Sequence, residues 1–153
     1  VIEYICNKEG KTVSEVVRML NKESGLLGAI GTGMSDMRDI TENLSDPNVK
    51  NAFDMYCHRI KKYICAYMGV LGGADAIVFT AGCGEHTPEL REAVVEGLEF
   101  MGVELDKDAN NNAPRGEEVL ISKPTSKVKI YVIPTDEEMV IAEETLKTIN
   151  NLR

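Results

Sequence analysis

Three short segments carry residues whose types and spacing could do chemistry. The first is Phe79-Thr-Ala-Gly-Cys-Gly-Glu-His-Thr-Pro88, where a run of β-formers gives way to Gly-x-Gly and then to a helix start. In open α/β sheets ligands bind beyond the carboxyl ends of strands. Gly82 and Gly84 would let the backbone approach such a ligand with no Cβ in the way, and helix amides can hold a phosphate. The segment has neither the third glycine of a dinucleotide fingerprint nor the Gly-Lys-Ser/Thr of a Walker A loop. Taken alone, a tight strand-to-helix turn is its plainer reading. The second segment, Val132-Ile-Pro-Thr-Asp-Glu-Glu138, repeats the arrangement. Its acids at a helix start suit the macrodipole, which is the plainer reading from spacing alone; the functional alternative sets Glu137 or Asp136 near a hydrated Mg²⁺ riding on nucleotide phosphates. The third, Ser35-Asp-Met-Arg-Asp39, sets a fixed cation between acids beside a glycine-rich stretch. Asp36 could accept from ribose hydroxyls or an adenine amine, and the planar Arg38 could stack on a base or bind phosphate. A solvated ion pair is the alternative.

These segments need elements to position them. Thr12 and Glu15 have capping-box spacing, Val13, Val16, Val17 and Leu20 form one stripe, and Gly25 suits a stop, which predicts a helix over 12–23. Four glycines between Gly25 and Gly33 predict a loop. Asp46-Pro47 opens a long helix to about Leu71, with Phe53, Tyr56, Ile60, Ile64 and Met68 recurring at helical spacing and Gly72-Gly73 ending it. Residues 76–80 read as a buried strand. Thr87 and Pro88 start a helix that buries Leu90, Val94 and Leu98 and stops at Gly102. Residues 106–114 read as polar and exposed, and Asn110 to Asn112 as a mobile turn. Residues 119–122 suit a short edge strand and 128–133 a second firm strand. Thr135 and Glu138 give another capping box, opening a helix to about Ile149. Strand, helix, strand, helix is α/β order with parallel pairing. Two firm strands are too few for a stable open sheet, so part of it is expected from elsewhere.

The chain has 153 residues, a formal net charge of -8 and a sequence pI near 4.8. Its length suits one domain. Its acidity argues against a nucleic-acid partner, which needs clustered Lys and Arg. No apolar run approaches the ~20 residues that span a bilayer, and no signal peptide opens the sequence. Cysteines 6, 57, 65 and 83 form no CxxC pair. They read as reduced thiols rather than zinc ligands or disulfides, with Cys65 expected to be buried. A cytoplasmic protein is the expectation.

Taken jointly, the segments resemble the carboxy-terminal part of the acetate kinase (acetokinase) family. Leu20-Asn-Lys-Glu-Ser-Gly-Leu-Leu-Gly28 is close to LNKxSGLLG, Gly73-Ala-Asp-Ala-Ile-Val-Phe-Thr-Ala-Gly-Cys-Gly-Glu85 to GxDAIVFTAGIGEN, and Val132–Glu138 to VIPTNEE. The 35–39 segment, Arg59-Ile-Lys-Lys-Tyr-Ile64, Gly97–Phe100 and Arg115-Gly-Glu117 fall in the same order, and the likeness spans essentially residues 1–153. The resemblance implies an α/β fold: an incomplete ribonuclease-H-like domain of the actin, Hsp70 and sugar kinase type, with helices on a small, mainly parallel sheet. It implies reversible phosphoryl transfer from ATP to acetate, giving acetyl phosphate, with Mg²⁺. Asp36, Met37 and Arg38 match the loop that contacts adenosine. Gly82, Cys83, Gly84, Glu85 and His86 match the nucleotide loop, and Glu137 the Mg²⁺ ligand. Cys83 stands for Ile, and His86 and Asp136 each stand for Asn. The added carboxylate at 136 would repel ATP but could attract metal, and the 28–34 loop is one residue longer than usual. The family's acetate-binding and charge-stabilising residues lie upstream and cannot be matched, so no catalytic residue is assigned here. The chain alone, which opens on Val1, is expected to be inactive, and a homodimer is expected. A propionate or other short-chain acyl kinase shares these segments; a non-catalytic nucleotide-binding or dimerisation domain is the alternative of another class.

Overall fold

The computed structural model describes residues 1–151, two short of the 1–153 span of the expected domain. Where length suggested one domain, the chain divides into two compact units, Val1–Tyr67 and a second from Met68 onward.

The first unit is helical: α1 (Ile2–Glu9), α2 (Val13–Lys22), α3 (Gly25–Ile30), α4 (Met37–Glu42) and α5 (Pro47–Leu71), the last running past the unit's end. The capping box forms as its spacing predicts. The Glu15 amide donates to Thr12 Oγ1 at 3.3 Å and the Thr12 amide to Glu15 Oε2 at 2.8 Å. No sequence signal announced α1, which buries none of its residues. The expected 25–33 loop is corrected to a short helix: Ile30 is buried and Leu26 and Leu27 are half-buried, so apolar burial overrides the poor propensity of glycine. Gly28 serves a close approach there, because a Cβ would lie 2.7 Å from the Glu23 carbonyl oxygen. Along α5 Phe53 is buried, while Tyr63 and Tyr67 are 49% and 62% exposed. All four cysteines are free thiols; Cys57 is buried and Cys65 only half-buried.

The second unit holds a mixed sheet in the order β1-β3-β2. β1 (Ala76–Phe79) pairs parallel with β3 (Lys129–Val132), from Ala76 opposite Lys129 to Phe79 opposite Val132. β2 (Val119–Leu120) pairs antiparallel with β3, as the edge strand expected near 119–122. Between β1 and β3 the chain forms α6 (Ala81–His86), α7 (Pro88–Val95), a 3-10 turn (Glu99–Met101) and α8 (Lys107–Asn111). Leu90, Val94 and Leu98 are buried with Ile121, Ile130 and Val132, which confirms the inner face assigned to α7. The helix is shorter than expected, breaking at Val95 before Gly97 with φ +77°.

Three other expectations need correction. β1 is half-covered rather than buried, with Val78 48% exposed and β3 along one side only, among the described residues. The polar 106–114 stretch contains α8, capped where the Ala109 amide donates to Asp106 Oδ1 at 3.0 Å, and Asn110 is 1% exposed rather than in a mobile turn. The last helix, α9 (Glu137–Asn151), starts later than Thr135 and buries none of its described residues. No helix among the described residues is long and apolar enough to cross a membrane.

Candidate functional site

Parallel pairing in register brings the carboxyl ends of β1 and β3 to one edge. Phe79 and Val132 face each other, and the Ile133 amide donates to the Phe79 carbonyl at 2.9 Å. The segments that follow, 80–86 and 133–138, therefore leave the sheet side by side. Glu85 clasps them together: its Oε1 accepts from the Thr135 amide at 2.9 Å and from Thr135 Oγ1 at 3.1 Å. The Thr135 amide, ahead of burial working the other way, holds the Glu85 carboxyl below the usual carboxylate range, so the clasp is ionised at neutral pH.

Around this clasp lies a hollow of about 200 Å³ lined by Gly82, Glu85, His86, Thr135, Glu137 and Glu138. Four of the residues singled out from sequence thus meet: Gly82, Glu85, His86 and Glu137. The two glycines, indistinguishable in sequence, differ in structure. A Cβ on Gly84 would press to 3.1 Å from the Phe79 carbonyl carbon and 3.4 Å from its Cα, so packing against β1 demands that glycine. A Cβ on Gly82 would meet nothing within 4 Å, and Gly82 has no positive φ. Packing and backbone geometry leave Gly82 without a structural reason to lack a side chain, while it borders the hollow. Directly before it Ala81 holds φ +58°, the one non-glycine residue with positive φ among those described. Such strain costs about 1–2 kcal/mol and gathers at functional sites. Cys83 is exposed and Gly84 buried; neither lines the hollow.

The expected turn between Gly-x-Gly and Pro88 is itself the short helix α6. The expected capping box of the last helix does not form either. Thr135 spends its amide and hydroxyl on Glu85, and Asp136 takes over as cap, its Oδ1 accepting from the Met139 amide at 2.9 Å. Glu137 and Glu138 then occupy the first turn, where the macrodipole favours anions.

In the first unit, Asp36 caps α4 and fixes Arg38. Its carboxylate accepts from the Arg38 amide at 2.9 Å, from Nε at 3.0 Å and from the terminal amino group at 2.7 Å. These bonds, the guanidinium's foremost, hold the Asp36 carboxyl down to about 2. The side chain of Arg38 is 84% exposed. Its plane is set by this two-point grip, and its face is open to stack on a base. Met37 is buried, so only its backbone is placed to meet a ligand.

ATP and Mg²⁺ fit these residues in two respects. Gly82 offers a cradle that a Cβ would fill. Glu137 and Glu138, which line the hollow from the first turn of α9, are donors of the hard oxygen type that Mg²⁺ takes one or two at a time, with waters and phosphates completing its shell. Sequence reasoning passed over Glu85 as a clasp and Arg91 altogether. A charged residue between Leu90 and Val94 on a buried face was the signal that could have found the latter.

The profile of the Acetokinase family matches residues 1–143. The chain is 49% identical over 151 residues to an acetate kinase of Clostridium botulinum (strain Alaska E43), covering 97% of this chain and 38% of that protein. It superposes on the crystal structure of Porphyromonas gingivalis acetate kinase with a TM-score of 0.85 and 40% identity, over 97% of this chain and 37% of that one. On a propionate kinase from Francisella tularensis the TM-score is 0.82 and the identity 36%, over 93% and 36%. The chain therefore spans less than two-fifths of the length of these relatives, and the fold is theirs, an incomplete ribonuclease-H-like α/β domain with its helices and small sheet. With its strand-end hollow and its match over residues 1–143, the chain belongs to the acetokinase family.

Proposed function

We propose that the chain supplies the nucleotide-handling part of an acetate kinase, which phosphorylates acetate reversibly from ATP, with Mg²⁺, to give acetyl phosphate. The observation that carries this reading is the open side of Gly82 in a hollow that also holds Glu137. Gly82, Cys83, Gly84, Glu85 and His86 are assigned to the nucleotide loop, with Glu85 acting through its clasp on Thr135. Glu137, whose carboxylate has no hydrogen-bond or ion-pair partner among the described residues, is assigned to Mg²⁺. Asp36, Met37 and Arg38 are assigned to adenosine, Arg38 by its presented face and Asp36 by fixing that face.

Phosphoryl transfer depends chiefly on positioning and charge stabilisation. The metal ion, when bound, neutralises charge on the phosphates; Glu137 would hold it, and the chain's remaining task is to orient the nucleotide. The residues matched here supply only that share, so the chain by itself is assigned no turnover. A homodimer in the cytoplasm is the proposed setting. Titration of ATP·Mg²⁺ by calorimetry tests the assignment: Arg38→Ala and Glu137→Ala should each weaken binding. Equal affinity in the unsubstituted chain and both variants would remove these residues from the site. The likeness to the Francisella propionate kinase supports a second reading, a propionate or other short-chain acyl kinase. Turnover of acetate against propionate by a full-length protein carrying this chain separates the two.

A further inference from the structure

Behind the hollow lies a buried cation that the reading above does not use. Arg91 on α7 is 2% exposed, and its hydrogen bonds go to neutral oxygens rather than to a carboxylate. One terminal amino group donates to the Gly84 and Glu85 carbonyls, both at 2.8 Å. Nε donates to Asn110 Oδ1 at 2.7 Å and the other amino group to the Asn110 carbonyl at 2.9 Å. Asn110, 1% exposed, completes the lock by donating Nδ2 to the Pro88 carbonyl at 3.0 Å. A buried charge satisfied only by carbonyls is an expensive way to fill a core, since apolar residues of like volume do as well or better for stability. What the arrangement specifies is position. The carbonyls it grips are the last turn of α6, whose first turn contains Gly82, and Glu85 is the residue whose side chain holds Thr135.

We propose that Arg91 and Asn110 are positioning residues of the phosphate hollow: gripping the Gly84 and Glu85 carbonyls from behind, they fix α6 so that Gly82 and the Glu85 clasp face the ligand. The functional half of this statement rests on the nucleotide reading of the hollow; the mechanical half does not. The grip ties α8, nineteen residues farther along the chain, to the loop after β1. It also places a positive charge against the carboxyl end of α6, where the helix dipole favours one.

The test uses the whole chain with Arg91→Met, Arg91→Lys and Asn110→Ala, the last in case the first does not fold. Hydrogen exchange by mass spectrometry follows residues 81–86 and the Thr135 amide, with β3 as internal reference. ATP·Mg²⁺ affinity is measured at a temperature where each variant is fully folded. Losing the grip should speed exchange at 81–86 and Thr135 on the order of tenfold relative to β3, as expected when buried carbonyls lose their donors. It should also weaken nucleotide binding by about the same factor, and Arg91→Lys, which keeps the charge without the fork, should lie between. Exchange at 81–86 that rises no more than in β3, whatever the melting temperature does, overturns the proposal. So does altered exchange with unaltered nucleotide affinity. If the unsubstituted chain itself binds no ATP·Mg²⁺, the kinase reading fails, and the exchange ratio alone decides the grip.

Discussion

Replacing Gly82 and Gly84 by alanine, one at a time, separates a glycine kept for a ligand from a glycine kept for packing. Both lie in α6, where alanine is favoured over glycine by about 0.5–1 kcal/mol. At Gly82 nothing within 4 Å opposes a Cβ, so the whole gain should appear as stability, a rise in melting temperature of roughly 2–8 °C for a unit of this size. At Gly84 the new methyl presses on Phe79, at 3.1 Å from its carbonyl carbon. Phe79 cannot step aside cheaply, because it is 7% exposed and its carbonyl accepts from the Ile133 amide. Overpacking of this kind costs about 1–3 kcal/mol, leaving a net loss of about 1 kcal/mol once the helical gain is subtracted. Binding should run the other way at Gly82: a methyl in the hollow displaces a phosphate, weakening ATP·Mg²⁺ about tenfold or more, equivalent to 1.4 kcal/mol or above. Thermal melts and calorimetric titration read both effects on the same samples. A Gly82→Ala protein that melts higher yet binds ATP·Mg²⁺ as tightly as the original would refute the reasoning, because the open side of Gly82 would then face no ligand.

Two further outcomes follow from the same edge of the sheet. Ala81→Gly removes the strain of a positive φ and, after the entropy cost of glycine, should raise stability by about 0.5 kcal/mol or a few degrees; an unchanged or lowered melting temperature counts against a strained junction. Chelating Mg²⁺ should abolish ATP binding rather than reduce it modestly, since phosphates in the hollow would face the unengaged carboxylates of Glu137 and Glu138; comparable affinity with and without chelator in titration would contradict that electrostatic argument.

What the sequence disclosed follows the range of the interactions involved. The helix over 47–71 and the Thr12 capping box were legible because their signals are local: a period of 3.6 and a pair three residues apart. The 25–33 stretch misled, because propensity is a weak prior and burial of Ile30 outweighs it. Asn110 misled for a different reason. Nothing near it in sequence reveals Arg91, and only the fold brings the two within 2.7 Å. The site shows the same division. Motif positions singled out Gly82, Glu85, His86 and Glu137, and the fold sets all four around one hollow. Which glycine of the Gly-x-Gly pair faces the hollow, and which of Thr135 and Asp136 caps the helix, depends on partners across the sheet.

That exchange of roles between Thr135 and Asp136 bears on the charge of the site. From sequence, an aspartate at 136 adds a negative charge that would repel ATP but could attract metal. In the structure its carboxylate accepts from the Met139 amide, where the positive end of a fifteen-residue helix offsets it. Asparagine and aspartate are both strong N-caps, so the position tolerates either on structural grounds. Glu85 is likewise engaged, by Thr135. The carboxylates left without partners among those lining the hollow are Glu137 and Glu138, adjacent on the first turn of α9. Two acids on one turn cannot both bear on a bound triphosphate without a cation between, and a hydrated divalent ion asks for no more protein ligands than this. On the proposed nucleotide reading, the hollow should therefore disfavour bare ATP and favour its magnesium complex, a distinction set by which carboxylates the fold has already engaged rather than by how many the sequence contains.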